Sequence, residues 1–205
     1  MAAKEIDAEL VHVSTDYVFD GTSSRPYLET DTPCPQSVYG SSKLAGEKNV
    51  MESMEKYYIV RTAWLYGDGK NFVRTMLRLA KDHDMLTVVN DQFGSPTSAL
   101  ELARMILYII DKKDYGIYHA TCEGITSWYD FAREIFKQAS VSIQVKPVST
   151  EEYPAAIAKR PAYSVLENAH LHALGDYRMK DWKAAVRNWA RQDHSSAAGK
   201  QKKNA

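Results

Sequence analysis

The 205-residue sequence has no surplus of either charge: 26 Lys and Arg stand against 26 Asp and Glu. Nucleic-acid binders usually carry a basic excess or stripe, so a nucleic-acid partner is not expected. Cysteine is scarce. Cys34 and Cys122 lie far apart and fit no metal or redox spacing, which predicts a reduced, cytoplasmic setting. No apolar run reaches the length of a spanning helix and no signal peptide precedes the first strand, so no membrane partner is expected. The six histidines are scattered. His170 and His172 would point to different faces of a helix, and no metal is expected there. A glycine-rich turn between a strand and a helix, the usual cradle of a dinucleotide diphosphate, is also missing. Gly67 and Gly69 in LYGDGKN lack a third glycine at the right spacing and read as a loop.

What is present describes a globular chain: 44% apolar and 25% charged residues, enough for one sizeable core or a core and a small lobe. MAAKEIDAEL reads as the end of a helix and LVHVSTD as a short buried strand; a turn-rich loop follows from Asp20 to Pro35. Ser37 opens a predicted amphipathic helix with Leu44, Val50 and Met54 on its apolar side. YYIVRTAWLYG is a second predicted strand. FVRTMLRLAKD, ALELARMILYIIDKK and SWYDFAREIFKQA (capped by Ser127) predict helices. LTVVND, GIYHATC and IQVKPVS predict strands. The stretch EEYPAAIAKRPAYSVLEN precedes one or two closing helices, and the polar segment 193–205 is predicted to be disordered. Strands alternating with helices imply the α/β class, with a mainly parallel sheet covered on both faces.

Within SVYGSSKLAGE, Tyr39 and Lys43 are four residues apart and so share one helix face. A phenol is a poor acid or base at neutral pH, but a nearby ammonium favours the phenolate and makes proton exchange with a substrate oxygen accessible. The spacing alone is common on solvated helices. The preceding strand ends in two hydroxyls, Ser14 and Thr15, and sites in open α/β sheets form outside the carboxyl ends of strands. A strand-end hydroxyl, a tyrosine and a lysine would give one carbonyl oxygen two hydrogen-bond partners and a tuning charge.

Taken in order, VHVSTDYVFDG, PQSVYGSSKLAGE, VRTAWLYG, VNDQFGSPTSALELA and KRPAYSVLEN resemble the extended short-chain dehydrogenase/reductases, and within them the dTDP-4-dehydrorhamnose reductase family. The resemblance implies a Thr15, Tyr39, Lys43 triad. In it Tyr39 protonates the C4 oxygen of a nucleotide sugar as NADPH or NADH delivers hydride. Lys43 tunes the tyrosine and holds the nicotinamide ribose, so Tyr39 and Lys43 are also the implied cofactor contacts. Ser14, Tyr17, Trp64, Gln92, Thr97 and Arg160 are the implied substrate contacts, with Arg160 near the diphosphate. For Trp64 plain core filling is an equal alternative, for Asp91, Gln92, Pro96 and Thr97 simple turn chemistry, and for Arg160 a surface ion pair.

The resemblance also implies a departure. The family carries a strand and a glycine-rich turn before its STD strand, so this chain is expected to lack roughly three βα units, about 90 residues. The expected architecture is therefore a partial Rossmann-like parallel sheet with a small C-terminal substrate-binding lobe. Its expected divisions are residues 1–90 for the catalytic half of the cofactor domain, 91–192 for the substrate region and 193–205 for the tail. Cofactor binding would be incomplete. The first strand would be left with an open apolar edge, predicting self-association, a homodimer, or a need for a separate amino-terminal half. A non-catalytic homologue resembling the methionine adenosyltransferase β subunit, or an inactive remnant, is the alternative. A dehydratase or epimerase, suggested by Asp16 beside Thr15, ranks third.

Overall fold

The computed structural model describes residues 2–153 and 160–201, with side chains as far as 193. Helix α1 (Ala2–Glu5) leads into strand β1 (Leu10–Thr15), which ends in a single 3-10 turn over Asp16–Val18. Helix α2 (Val38–Ser53) follows the long loop and returns the chain to β2 (Tyr57–Thr62) and the short β3 (Leu65–Tyr66). Next come α3 (Phe72–Leu79), β4 (Met85–Val89), β5 (Phe93–Gly94), β6 (Thr97–Ser98) and α4 (Ala99–Lys112). Then follow β7 (Gly116–His119), β8 (Thr126–Ser127), α5 (Trp128–Gln138) and β9 (Gln144–Val148). Two helices close the chain, α6 (Ala169–Ala173) and α7 (Trp182–Gln201).

Strands β1, β2 and β7 form a parallel sheet in that order. Parallel pairs need long crossovers, and α2 and α4 supply them. In this ladder the Leu10 N–H donates to Lys56 O, and the Ala120 N–H donates to Arg61 O. Because backbone groups alternate sides along a parallel strand, those of Leu10, His12 and Ser14 face β2. Those of Val11, Val13 and Thr15 face outward, where no described strand pairs with them. The β7 edge is different. Its outward groups are taken by neighbours: His170 Nδ1 donates to Ile117 O at 2.8 Å, and the His119 N–H donates to Glu29 Oε1 at 3.0 Å.

Two main cores interleave along the chain, beside a smaller third of Val18, Phe19, Tyr27 and Leu166. One lies between the sheet and α4 and holds Tyr58, Val60, Leu102, Met105, Ile109 and Tyr118. The other joins α3, β4, α5 and α7 through residues such as Tyr66, Val73, Met76, Phe131, Ile135 and Trp182. Residues 66–88 thus pack with later elements and α4 packs with the first sheet, so the cores do not divide at residue 90. The reason is topological: β3 leaves the sheet and pairs with β6, carrying the chain from one layer to the other.

Several expectations need correction. Helix α2 is not amphipathic in the apolar sense; its buried residues are Gly40 and Glu47, with Leu44 and Val50 half-buried. A Cβ at Gly40 would fall 2.1 Å from Tyr17 O and one at Gly46 would press on the His12 ring, so small residues let the helix lie close to β1. The second predicted strand breaks at Trp64, whose φ of 47° turns the chain out of the sheet. The closing helix continues to Gln201 through part of the segment whose composition suggested disorder. There an anchored helix is extended by good helix formers such as Ala, Lys and Gln. Residues 154–159 and 202–205, within the Pro-containing stretch and the tail, lie outside the described residues.

Candidate active site

The site is built at the carboxyl end of β1. Ser37 caps α2, accepting from the Gly40 N–H at 3.1 Å, and this sets where the helix begins relative to the 16–18 turn. Tyr39, in the first turn of α2, is 54% exposed and stands edge-on to the Tyr17 ring at 5.6 Å. Lys43, one turn on, donates through Nζ to Val13 O at 2.6 Å. Thr15 is buried; its Oγ1 accepts from the Tyr17 N–H at 3.3 Å and donates to Asp16 Oδ1 at 2.9 Å. Tyr39 and Lys43 therefore both contact the segment from Val13 to Tyr17, which holds Thr15. Tyr17 itself is pushed up in pKa by burial and by the Asp16 and Tyr39 charges, which outweigh the lowering effect of Arg160.

Asp16 was assigned only to the dehydratase reading, yet it is the most perturbed acid of the site. Burial raises its pKa to about 6, against the hydrogen bonds from Ser164 and Thr15 that favour ionisation. Its Oδ2 is buried with no hydrogen-bond partner among the described residues. Perturbed carboxyls of this kind cluster at functional sites.

Ser14 does not face the site. Its hydroxyl donates to Glu47 Oε1, and Glu47 also binds Arg61, with Nε to Oε1 at 3.0 Å and Nη2 to Oε2 at 2.7 Å. Glu47 and Arg61 are 0% and 2% exposed, a fully buried ion pair tying α2 to β2. Arg61 stands beside His119 in register, and His119 donates Nδ1–H to Tyr27 O and Glu167 O. Burial first, then the Arg61 charge, hold His119 neutral, with its pKa lowered to about 3. Thr97 is likewise internal. It is fully buried, donating to Ser95 O and accepting from the Cys122 N–H. The structure thus places these two predicted contact residues in the framework.

Three of the other predicted contacts, Trp64, Gln92 and Arg160, line a cleft of about 470 Å³ together with Trp128, Thr150 and Tyr153 among others, while Tyr17 lies outside its lining. Trp64 stacks on Trp128 with centroids 3.5 Å apart, and Gly94 gives it room, since a Cβ there would lie 2.5 Å from the indole. The Arg160 guanidinium stands 5.8 Å from the Trp128 ring and close enough to Tyr17 to act on its titration. Arg160 therefore lines the cleft within electrostatic reach of Tyr17. Gln92 donates to Thr150 Oγ1 at 3.0 Å, and Asp91 accepts from both the Thr150 hydroxyl and its N–H. Trp128 was missed in the sequence because SWYDF reads as the start of an amphipathic helix. Its position just after a capping serine was the available signal.

Among the described residues no group of three or more His, Cys, Asp or Glu is placed to hold a metal. His170 pairs with Asp114 and His172 with Glu123, on separate sides. No described helix is long and apolar enough to cross a membrane.

Parallel βαβ connections with a threonine, a tyrosine and a lysine at one strand end define a Rossmann-like α/β domain of the reductase and epimerase kind. The chain belongs to the RmlD substrate binding domain family, whose model matches residues 1–194. The dTDP-4-dehydrorhamnose reductase of Aggregatibacter actinomycetemcomitans is 43% identical over 91% of this chain and 68% of its own length. The solved dTDP-4-dehydrorhamnose reductase of Clostridium acetobutylicum is 52% identical and superposes with a TM-score of 0.91 over 94% of this chain and 69% of that one. That of Bacillus anthracis, solved in complex with NADP, is 44% identical with a TM-score of 0.90 over 93% and 68%. The chain spans about two thirds of the length of the curated relatives it matches.

Proposed function

We propose that this chain carries the substrate-side and proton-transfer machinery of a sugar-nucleotide reductase, which reduces the C4 ketone of dTDP-4-dehydro-L-rhamnose to dTDP-L-rhamnose. The observation that carries this reading is the contact of both Tyr39 and Lys43 with the Val13–Tyr17 segment that holds Thr15, with Arg160 of the aromatic cleft within electrostatic reach of Tyr17. Tyr39 is exposed and supplies the proton to the nascent alkoxide. Lys43 supplies the positive charge that makes a phenol competent for that transfer. Thr15 orients the ketone oxygen, for which its hydroxyl proton turns away from Asp16. The stacked Trp64 and Trp128 offer a flat apolar wall for a nucleobase or sugar face, and Arg160 a fork for the diphosphate.

NADPH or NADH, when bound, supplies the hydride. Lys43 fits a ribose hydroxyl. No glycine-rich strand-to-helix turn in this chain offers backbone N–H groups to the diphosphate, so the residues present hold only the nicotinamide side of the cofactor. That observation also favours a second reading, a nucleotide-sugar binder without turnover, as in a regulatory homologue.

The two readings separate in two assays. Titration of the chain with the dTDP-sugar, followed by tryptophan fluorescence, is expected to quench the Trp64–Trp128 pair under either one. NADPH oxidation, assayed with the unspanned third of a relative added in trans, is expected only for the reductase. There Tyr39→Phe is expected to lower kcat by roughly 10²–10⁴-fold with little change in sugar binding. An unchanged rate removes Tyr39 as the acid.

A further inference from the structure

Strands β4 and β9 run parallel with Val89 opposite Val148, and the Asn90 N–H donates to Val148 O at 3.0 Å. The same register, carried past both strand ends, sets Asp91 beside Thr150. There the Asp91 carboxylate accepts from the Thr150 N–H at 2.9 Å and from the Thr150 hydroxyl at 2.7 Å. Gln92, the next residue, is 4% exposed, and its Nε2 donates to Thr150 Oγ1 at 3.0 Å. Gln92 and Thr150 both line the cleft of the stacked Trp64 and Trp128, whereas Asp91 stands outside it.

The proton directions along this chain of bonds are forced. An ionised carboxylate only accepts, and Asp91 is ionised at neutral pH. Desolvation raises its pKa, but the bonds from Thr150 outweigh that and hold the carboxyl below its ordinary range. The one hydroxyl proton of Thr150 is therefore committed to Asp91, in a charge-assisted bond, and Oγ1 keeps only lone pairs for Gln92. Gln92 must meet those lone pairs with the NH₂ end of its amide, since the reverse orientation would set oxygen against oxygen. Oε1 is then the end left to the cleft, and among the described residues none donates to it.

We infer that Thr150, with its proton drawn to Asp91, is a positioning residue that fixes Gln92 Oε1 as a hydrogen-bond acceptor in the cleft. The fixed acceptor selects a nucleobase that offers a ring N–H, as thymine and uracil do, over cytosine, whose ring nitrogen at that place accepts. This deepens the functional proposal and rests on its reading of the cleft as the nucleotide-sugar site.

Two features of the lining favour the assignment. The Trp64–Trp128 stack takes the flat face of any base and so cannot tell one from another. Arg160 is a donor only, and its charge suits the diphosphate. Gln92 supplies the carboxamide, the group able to tell a donor from an acceptor at the edge of the base. A carboxamide left to itself would present either end after a half-turn and would read both kinds of base. Thr150 removes that freedom. An acceptor set against an acceptor leaves both unpaired, which costs more than a good hydrogen bond gains.

Tryptophan-fluorescence titrations of the full chain with dUDP and dCDP test the inference. These probes differ only at the base edge, and neither carries the thymine methyl. The parent chain is expected to bind dUDP roughly ten- to a hundredfold more tightly than dCDP. Thr150→Val removes the hydroxyl and frees the amide to turn, so the ratio is expected to fall to about twofold or less. Thr150→Ser keeps the hydroxyl and is expected to restore the parent ratio. A merely structural threonine would lower both affinities together and leave the ratio standing. In the ligand-free parent, nuclear Overhauser contacts between the Gln92 side-chain amide protons and Thr150 Hβ are expected. Equal binding of the two nucleotides, a ratio unmoved in Thr150→Val, or the lack of those contacts overturns the inference and leaves the cleft as the nucleotide site. Binding of neither nucleotide also overturns it, and if the dTDP-sugar fails to quench as well, the reading of the cleft falls with it.

Discussion

The two faces of the three-stranded sheet are built on opposite principles. Under α4 the sheet presents Tyr58, Val60 and Tyr118 to Leu102, Met105 and Ile109, a closed apolar layer. Under α2 it presents His12, Ser14, Arg61 and His119, and the helix answers with Gly40, Gly46 and Glu47. The apolar face holds the sheet mainly by burial, with the Tyr58 and Tyr118 hydroxyls bonded at its margin to Glu9 and Asp114 O. The polar face has a bidentate ion pair and a buried hydroxyl, whose directional bonds fix one register of α2 on β1 and β2. That helix carries Tyr39 and Lys43. The comparison teaches that the face carrying Tyr39 and Lys43 is the one held by geometry rather than by area.

Breaking the polar face is expected to have the largest effect. Glu47→Leu leaves the Arg61 charge buried without its carboxylate and is expected to cost about 3–5 kcal/mol in urea unfolding. Adding Arg61→Met should recover most of that stability, since an apolar pair of similar volume is often neutral or better. If the double variant is stable but its α2 exchange and Tyr39 environment are unchanged, geometry was not what the pair supplied.

Acid comes next, acting on the two histidines of the polar face. His119 is held neutral, and His12 is shifted in the same direction by burial and by Lys43. A folded state that resists protonation loses stability as pH falls from about 6.5. Asp16 acts oppositely. With a folded pKa raised to about 6, it binds a proton before the unfolded chain does, and so adds stability as pH falls from about 6 toward 4. The two slopes offset each other over that window. Asp16→Asn is expected to expose the histidine slope, about 1 kcal/mol per pH unit, in thermal melts at a series of pH values. A melt profile identical to the parent would remove Asp16 as a buried titrating group.

The smallest change belongs to the apolar face. Ile109→Val removes one buried methylene under the sheet and is expected to cost about 0.5–1.5 kcal/mol with no pH dependence. A pH-dependent loss there would show that the faces are not separable.

Much of this was legible in the residues. The α4 stripe, the Ser37 and Ser127 caps and the β1 and β2 strands follow from local patterns. So does the pairing of Tyr39 with Lys43 on one helix face. The candidate site could be read as a motif, through Thr15 and the YxxxK spacing, and in the structure Trp64, Gln92 and Arg160 line one cleft. Ser14 and Thr97 were misplaced because a polar residue at a strand end looks the same whether it faces a ligand or a neighbour. Their partners, Glu47 and Cys122, are 33 and 25 positions away. Trp64 could not be read as a chain breaker, since a left-handed tryptophan has no local signature; the stack on Trp128 holds it.

The sequence by itself determined the class of fold, the helix and strand order and the placing of Tyr39 and Lys43 on one helix face, because these depend on period, capping and spacing within a few residues. Only the tertiary structure decided which polar side chains face the cleft and which are spent on the framework. It alone placed Glu47 against Arg61 and set Lys43 on the outward carbonyl of Val13. Those outcomes depend on which strands lie side by side and which edge stays open, and contact between distant segments is fixed by packing, not by any local run of residues.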